Sequence, residues 1–87
     1  MVSKKVIVKE DTGLHLRPAG ELCKLAMKYQ SHITFKCRNS IANAKSVISI
    51  LGACVKQNDE IELICEGEDE QLALDDISKA IENGFDI

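Results

Sequence analysis

The 87-residue chain predicts an α+β fold, an open-faced sandwich of one sheet with helices on one face. Three observations point there. Short apolar runs near residues 5–9, 33–37 and 61–65 alternate or carry β-branched residues, as half-buried strands do. Stretches over 16–29 and 69–83 repeat their apolar residues at helical spacing. The two kinds interleave as β-α-β-β-α-β-α, so one sheet can bury each helical stripe once and leave its other face to water. Any β-α-β crossover between parallel strands is then right-handed.

Lys5 to Lys9, β-branched and bounded by charge, is the predicted first strand. Asp11-Thr12-Gly13 breaks it, with Gly13 supplying a tight bend. The first helix runs from Leu16 to about Tyr29 and turns Ala19, Leu22, Cys23 and Ala26 inward. Pro18, the only proline, suits its first turn. Gly20 within it costs about 1 kcal/mol relative to alanine; it either keeps the surface low for a docking partner or has no role. Ile33, Phe35 and Cys37 alternate with Thr34 and Lys36 in a second strand. Arg38-Asn39-Ser40 turns the chain, and Ile41 to Ala44 returns as a third strand, completing a hairpin.

Ser46 has the chemistry of an N-cap for Val47 to Leu51, a short helix that stops at Gly52. So few residues cannot hide Val47, Ile48, Ile50 and Leu51 on one face. Either some stay exposed as a contact surface, or the run is a buried strand. Gln57-Asn58-Asp59 is a loop. Ile61, Leu63 and Cys65 alternate with Glu60, Glu62 and Ile64 in the fourth strand, which Gly67 closes. Asp69 caps a last helix with Ala73, Ile77, Ala80 and Ile81 as its inner stripe, and Asn83-Gly84 ends it.

Composition narrows the function. With 45% hydrophobic and 29% charged residues, the chain suits a single globular domain over residues 1–87. A net charge of −3, with only Tyr29, Phe35 and Phe85 as aromatics, argues against a nucleic-acid footprint. Cys23, Cys37, Cys54 and Cys65 form no C-x-x-C pair, so zinc ribbons and thioredoxin-like chemistry are not expected. Val6 to Val8 is too short for a signal-peptide core, and nothing approaches a membrane span. Buried, reduced cysteines in a cytoplasmic protein are the expectation. His32 has no neighbouring ligand or base and reads as a surface residue.

The stretch Thr12-Gly13-Leu14-His15-Leu16-Arg17-Pro18-Ala19-Gly20 organises the rest. It places His15 at a helix entrance, where free N–H groups and the positive dipole end make an anion site. Arg17 adds a guanidinium fork that suits phosphate oxygens. A nucleophilic imidazole beside a phosphate cradle points to a phosphohistidine, which the helix end would stabilise by roughly 0.3–2 kcal/mol. A histidine that merely caps the helix fits the local residues as well.

Two stretches, Gly13-Leu14-His15-Leu16-Arg17-Pro18-Ala19 and Asn43-Ala44-Lys45-Ser46-Val47-Ile48, resemble the HPr family, the histidine-containing phosphocarriers of the phosphoenolpyruvate:sugar phosphotransferase system. The resemblance covers nearly the whole chain. It implies a four-stranded antiparallel sheet covered by three helices. It also implies a carrier, not a turnover enzyme, needing no metal or diffusible cofactor. His15 would accept a phosphoryl group on Nδ1 from enzyme I and pass it to the A domains of enzymes II during sugar uptake. Arg17 and the N–H groups around Leu16 and Arg17 would steady it. Ser46 matches the serine that an ATP-dependent HPr kinase/phosphorylase modifies in regulated members, linking the carrier to a catabolite-control repressor; otherwise Ser46 is only a cap. Leu16, Gly20, Lys24, Val47, Ile48 and Leu51 fall at docking positions. A monomer is expected, because a carrier must undock quickly.

The chain departs from the common family pattern. Methionine is frequent where Ile48 and Leu51 stand, glycine where Ser49 and Cys54 stand, and alanine or threonine in place of Leu16. Stiffer side chains than methionine narrow the choice of partner. Three other functions compete: a paralogue in a nitrogen-related regulatory branch, a catabolite-repression adaptor acting through the serine alone, and an acylphosphatase-like hydrolase using Arg17. His15 disfavours the adaptor. The lack of a second side chain to position water disfavours the hydrolase.

Overall fold

Residues 1–86 are described by a computed structural model; Ile87, the last residue of the expected domain, lies outside them. β1 (Val2–Ile7) leads through a bend into α1 (Leu16–Ala26). The hairpin β2 (His32–Cys37) and β3 (Ser40–Asn43) follows, then α2 (Val47–Gly52), β4 (Glu60–Glu66) and α3 (Glu70–Glu82). The strands form one antiparallel sheet in the order β1-β4-β2-β3. β1 and β2 both run against β4 and are therefore parallel to each other, with β4 between them. The architecture is the α+β open-faced sandwich that the sequence predicts.

Alternation decides which side chains enter the core. Val6, Ile33, Phe35, Cys37, Ala42, Ile61, Leu63 and Cys65 point inward from the sheet and are buried. They meet Ala19, Leu22 and Ala26 of α1, Ile50 of α2, and Ala73, Leu74, Ile77 and Ile81 of α3. On the outer face Lys5, Glu62 and Lys36 lie opposite one another across β1, β4 and β2, an alternating-charge ladder suited to water.

Several boundaries differ from the expected ones. The first strand runs Val2–Ile7 instead of Lys5–Lys9. Ladder pairing from Val2↔Cys65 to Ile7↔Glu60 holds Ser3, Lys4 and Lys5, which carry no apolar alternation but can face water from an edge strand. The first helix ends at Ala26, because the Tyr29 N–H closes a tight turn on the Ala26 carbonyl and the Tyr29 hydroxyl donates to Asp76 of α3. The third strand is Ser40–Asn43, since Cys37 pairs with Ser40 across a two-residue turn whose first member, Arg38, has φ 55°.

In α3 the inward stripe is Ala73, Leu74, Ile77, Ser78 and Ile81, and Ala80 is only half-buried. Those five positions fall on one side of a 3.6-residue helix, and Ala80 lies on its flank. Asp69 precedes α3, yet its carboxylate does not cap it. It accepts from the Gln30 and Ser31 N–H groups, both at 2.9 Å, and from the Ser31 hydroxyl. These bonds hold its pKa below the ordinary carboxylate value, the Ser31 hydroxyl contributing most. The four cysteines are free, but they are not all buried. Cys37 and Cys65 are, Cys23 is half-buried, and Cys54 is exposed just after α2. No helix among the described residues is long and apolar enough to cross a membrane.

Candidate functional site

The bend between β1 and α1 is pinned before it reaches the histidine. Gly13 has φ 66°, and its N–H donates to the Glu10 carbonyl at 2.9 Å. The next N–H, that of Leu14, donates to the Val55 carbonyl at 3.0 Å. Leu14 itself is buried. The chain can then emerge at His15, the N-cap of α1, in an extended conformation with φ −79° and ψ −166°.

The His15 imidazole makes no capping bond and is exposed. Its backbone carbonyl accepts from the Ala19 N–H at 2.8 Å, which starts the helix. Leu16 and Arg17 open α1 with N–H groups that have no partner in the preceding turn, and Pro18 has none to offer. Two donors and the positive end of an 11-residue helix thus lie beside the imidazole. Arg17 is exposed, and among the described residues no ion pair engages it.

His15 and Leu16 form one wall of an open groove of about 550 Å³, and Leu51, Cys54 and Val55 form the other. The groove's lining is mostly apolar, and Thr12 and Lys56 complete it. α2 supplies the adjoining surface. Ile50 is fully buried and Val47 and Leu51 half-buried, so Ile48 projects with 84% of its surface exposed. Leu16 is 63% exposed. Part of the run therefore stays exposed, and residues 47–51 are helical, not a strand.

The other anticipated residues are dispersed. Gly20 lies on α1 with nothing within 4 Å of the place where a Cβ would stand. Lys24 borders a separate hollow of about 250 Å³ with Glu21, Lys28 and Phe85. Ser46 is half-buried and caps α2, its hydroxyl oxygen accepting from the Ser49 N–H at 3.2 Å. Sequence reasoning missed that Cys54, Val55 and Lys56 line the groove. The one sequence signal was the departure from the expected glycine at Cys54, whose φ of 54° in the structure is the left-handed conformation that favours glycine. His32 is exposed, as expected, opposite Glu66 in the β2–β4 ladder.

Among the described residues no cluster of histidine, cysteine and carboxylate side chains could hold a metal ion. What the arrangement offers is an unobstructed imidazole, two backbone donors and a guanidinium.

Comparison with known proteins bears on that chemistry. The family model described as the PTS HPr component phosphorylation site matches residues 2–83. A phosphocarrier protein HPr from Borreliella burgdorferi is 32% identical over 95% of this chain and 96% of its own length. The HPr-like protein Crh of Bacillus subtilis is 34% identical over 94% of this chain and 96% of its own length. The crystal structure of HPr-C-His from Thermoanaerobacter tengcongensis superposes with a TM-score of 0.95 at 34% identity, covering 100% of this chain and 98% of that one. Fold and family together define a phosphocarrier of the phosphotransferase system, a relay for a phosphoryl group and not a turnover enzyme. The chain belongs to the HPr family.

Proposed function

We propose that His15 is the phosphoryl acceptor of this carrier. Its Nδ1 attacks the phosphorus carried by enzyme I; the new N–P bond forms as the donor's bond to phosphorus breaks. The reverse exchange delivers the group to an enzyme II A domain. The observation that carries this reading is the exposed imidazole at the α1 N-cap, free of any capping bond. The Leu16 and Arg17 N–H groups and the Arg17 guanidinium take the phosphoryl oxygens, and the helix end favours their charge by roughly 0.3–2 kcal/mol. No metal or cofactor enters this scheme.

Leu16, Ile48 and Leu51 supply the apolar contact for both partners, joined by the half-buried Val47. The open space over Gly20 admits a close approach along α1, and Lys24 adds a cation on the same helix. One domain over residues 1–87, acting as a cytoplasmic monomer, completes the proposal.

Ser46 supports a second, regulatory role. Phosphorylation by an ATP-dependent HPr kinase/phosphorylase adds about −1.5 to −2 charge beside Ile48 and Leu51. That charge opposes docking on an acidic partner and creates a site for a catabolite-control repressor. The likeness to the solved structure of Crh, named the Bacillus subtilis catabolite repression HPr, favours this reading.

Intact-mass analysis after incubation with phosphoenolpyruvate and enzyme I from the same organism tests the main role. The expected result is one acid-labile phosphoryl group, absent in His15→Ala. No gain in the unaltered protein refutes the carrier assignment of His15 and leaves the Ser46-based role.

A further inference from the structure

α2 is six residues long, too short to hold its place by helical hydrogen bonding alone. Its inner face is fixed by Ile50, and Val47 and Leu51 pack at the edge of the core. Rotation about that single buried anchor would swing Ile48 across the surface. What opposes rotation is a ring of hydrogen bonds at the start of the helix.

Just past β3 the chain turns one N–H toward β2: that of Ala44 donates to the Ile33 carbonyl at 2.9 Å. Strand alternation then directs the Asn43 N–H to the open edge of the sheet. There it donates to the Ser49 hydroxyl oxygen at 2.9 Å. The Ser49 N–H donates to the Ser46 hydroxyl oxygen at 3.2 Å, and the Ser46 N–H donates back to the Asn43 carbonyl at 3.1 Å. Three residues close on themselves. The Asn43 side-chain carbonyl also accepts from the Lys45 N–H at 2.9 Å, which stiffens the connection between β3 and α2.

We propose that Ser49 is a positioning residue for docking: its hydroxyl ties α2 to the free edge of β3 and so sets the direction in which Ile48 and Leu51 face the phosphoryl donor. Ser49 touches no reacting group and acts only through the helix. Because the Ser46 oxygen belongs to the same ring, a change at Ser46 is felt at the bond between Asn43 and Ser49. The proposal rests on the reading of Ile48 and Leu51 as docking residues.

Ser49→Ala tests it in the full-length chain, since alanine keeps the helix and removes only the hydroxyl. Asn43 is exposed, so water takes the freed N–H and the fold persists. The expected result is a KM of enzyme I for this carrier raised about fivefold, the worth of one hydrogen bond, with kcat unchanged. The Asn43 amide exchanges faster with solvent in the same variant. Ser49→Thr, which keeps the hydroxyl, retains both the KM and the amide protection. The effects of Ser46→Ala and Ser49→Ala on KM combine to less than their product, because both open one ring. An unaltered KM in Ser49→Ala, alongside a deprotected Asn43 amide, overturns the proposal. Ile48→Ala separates the two levels. If it leaves KM unchanged, the docking reading falls and Ser49 with it; if it raises KM while Ser49→Ala does not, only the role of Ser49 falls.

Discussion

Gly13→Ala should be the most damaging small substitution near the site. At φ 66° an L-residue meets its own backbone, and the added Cβ would stand 2.2 Å from the Val55 carbonyl oxygen and 2.6 Å from the Lys56 Cα. Both obstacles are backbone, so no side-chain rotation relieves them. The Val55 oxygen is also the acceptor of the Leu14 N–H, the bond that holds the bend against the segment after α2. The conformational cost and the overpacking together come to about 2–5 kcal/mol. For a domain of this size that lowers Tm by roughly 10 °C or more. Urea denaturation followed by far-ultraviolet circular dichroism measures the loss. Phosphoryl acceptance should also fall at temperatures where the variant is folded, because relief of the clash moves Val55 and Lys56, which border the His15 groove. A stability change below about 0.5 kcal/mol, the range of an ordinary surface substitution, would refute the reasoning.

Cys54→Gly should act in the opposite sense: relief of about 1–2 kcal/mol of left-handed strain at φ 54° outweighs the roughly 0.5–1 kcal/mol entropic cost of a glycine, for a net gain of about 0.5–1 kcal/mol, seen as a higher urea midpoint with an unchanged m value. Asp69→Asn should flatten the acid limb of the stability profile. The native carboxyl has a lowered pKa, so its contribution is present above the unfolded carboxylate value and lost as pH falls through the lower folded one. Equilibrium denaturation across the acid range of both proteins checks this. Tyr29, the only tyrosine, has its pKa pushed up to about 12 by burial and then by its bond to Asp76. Its stabilisation is therefore complete below the ordinary phenol value of 10.0 and lost as pH rises through about 12. Near-ultraviolet titration should give a lower phenol pKa in Asp76→Asn, and an unmoved curve would contradict the assigned bond.

The order of elements was legible because each carries its own local signal. The alternation of Ile33, Phe35 and Cys37, the helical spacing of Ala19, Leu22 and Ala26, and Ser46 ahead of an apolar run all express short-range rules. The entrance of α1 at His15 could be read from Gly13 and Pro18 for the same reason. The sequence left residues 47–51 as either a partly exposed helix or a buried strand; once the run is a six-residue helix, its four large apolar residues have no way to be buried together. Boundaries failed where a partner decided them. Ser3, Lys4 and Lys5 join β1 because β4 offers a ladder, and Tyr29 leaves α1 because Asp76 offers an acceptor.

By itself the sequence determined the element order and the histidine at a helix entrance, because those depend on residue type and on spacing within a few turns of chain; the family entered as a resemblance carried by two motifs. Tertiary structure decided the rest. The groove beside His15 exists only where the bend after β1 meets the segment after α2, a meeting set by the Leu14–Val55 bond across about forty residues of chain. Asp69 looked like a helix cap and became a tie to Gln30 and Ser31, since a carboxylate takes whichever donors the fold brings within reach. Ser49 stood out in the sequence only as a departure from the family's usual glycine. It gained a partner only when β3 turned the Asn43 N–H toward it, and strand direction is a property that pairing, not local sequence, settles.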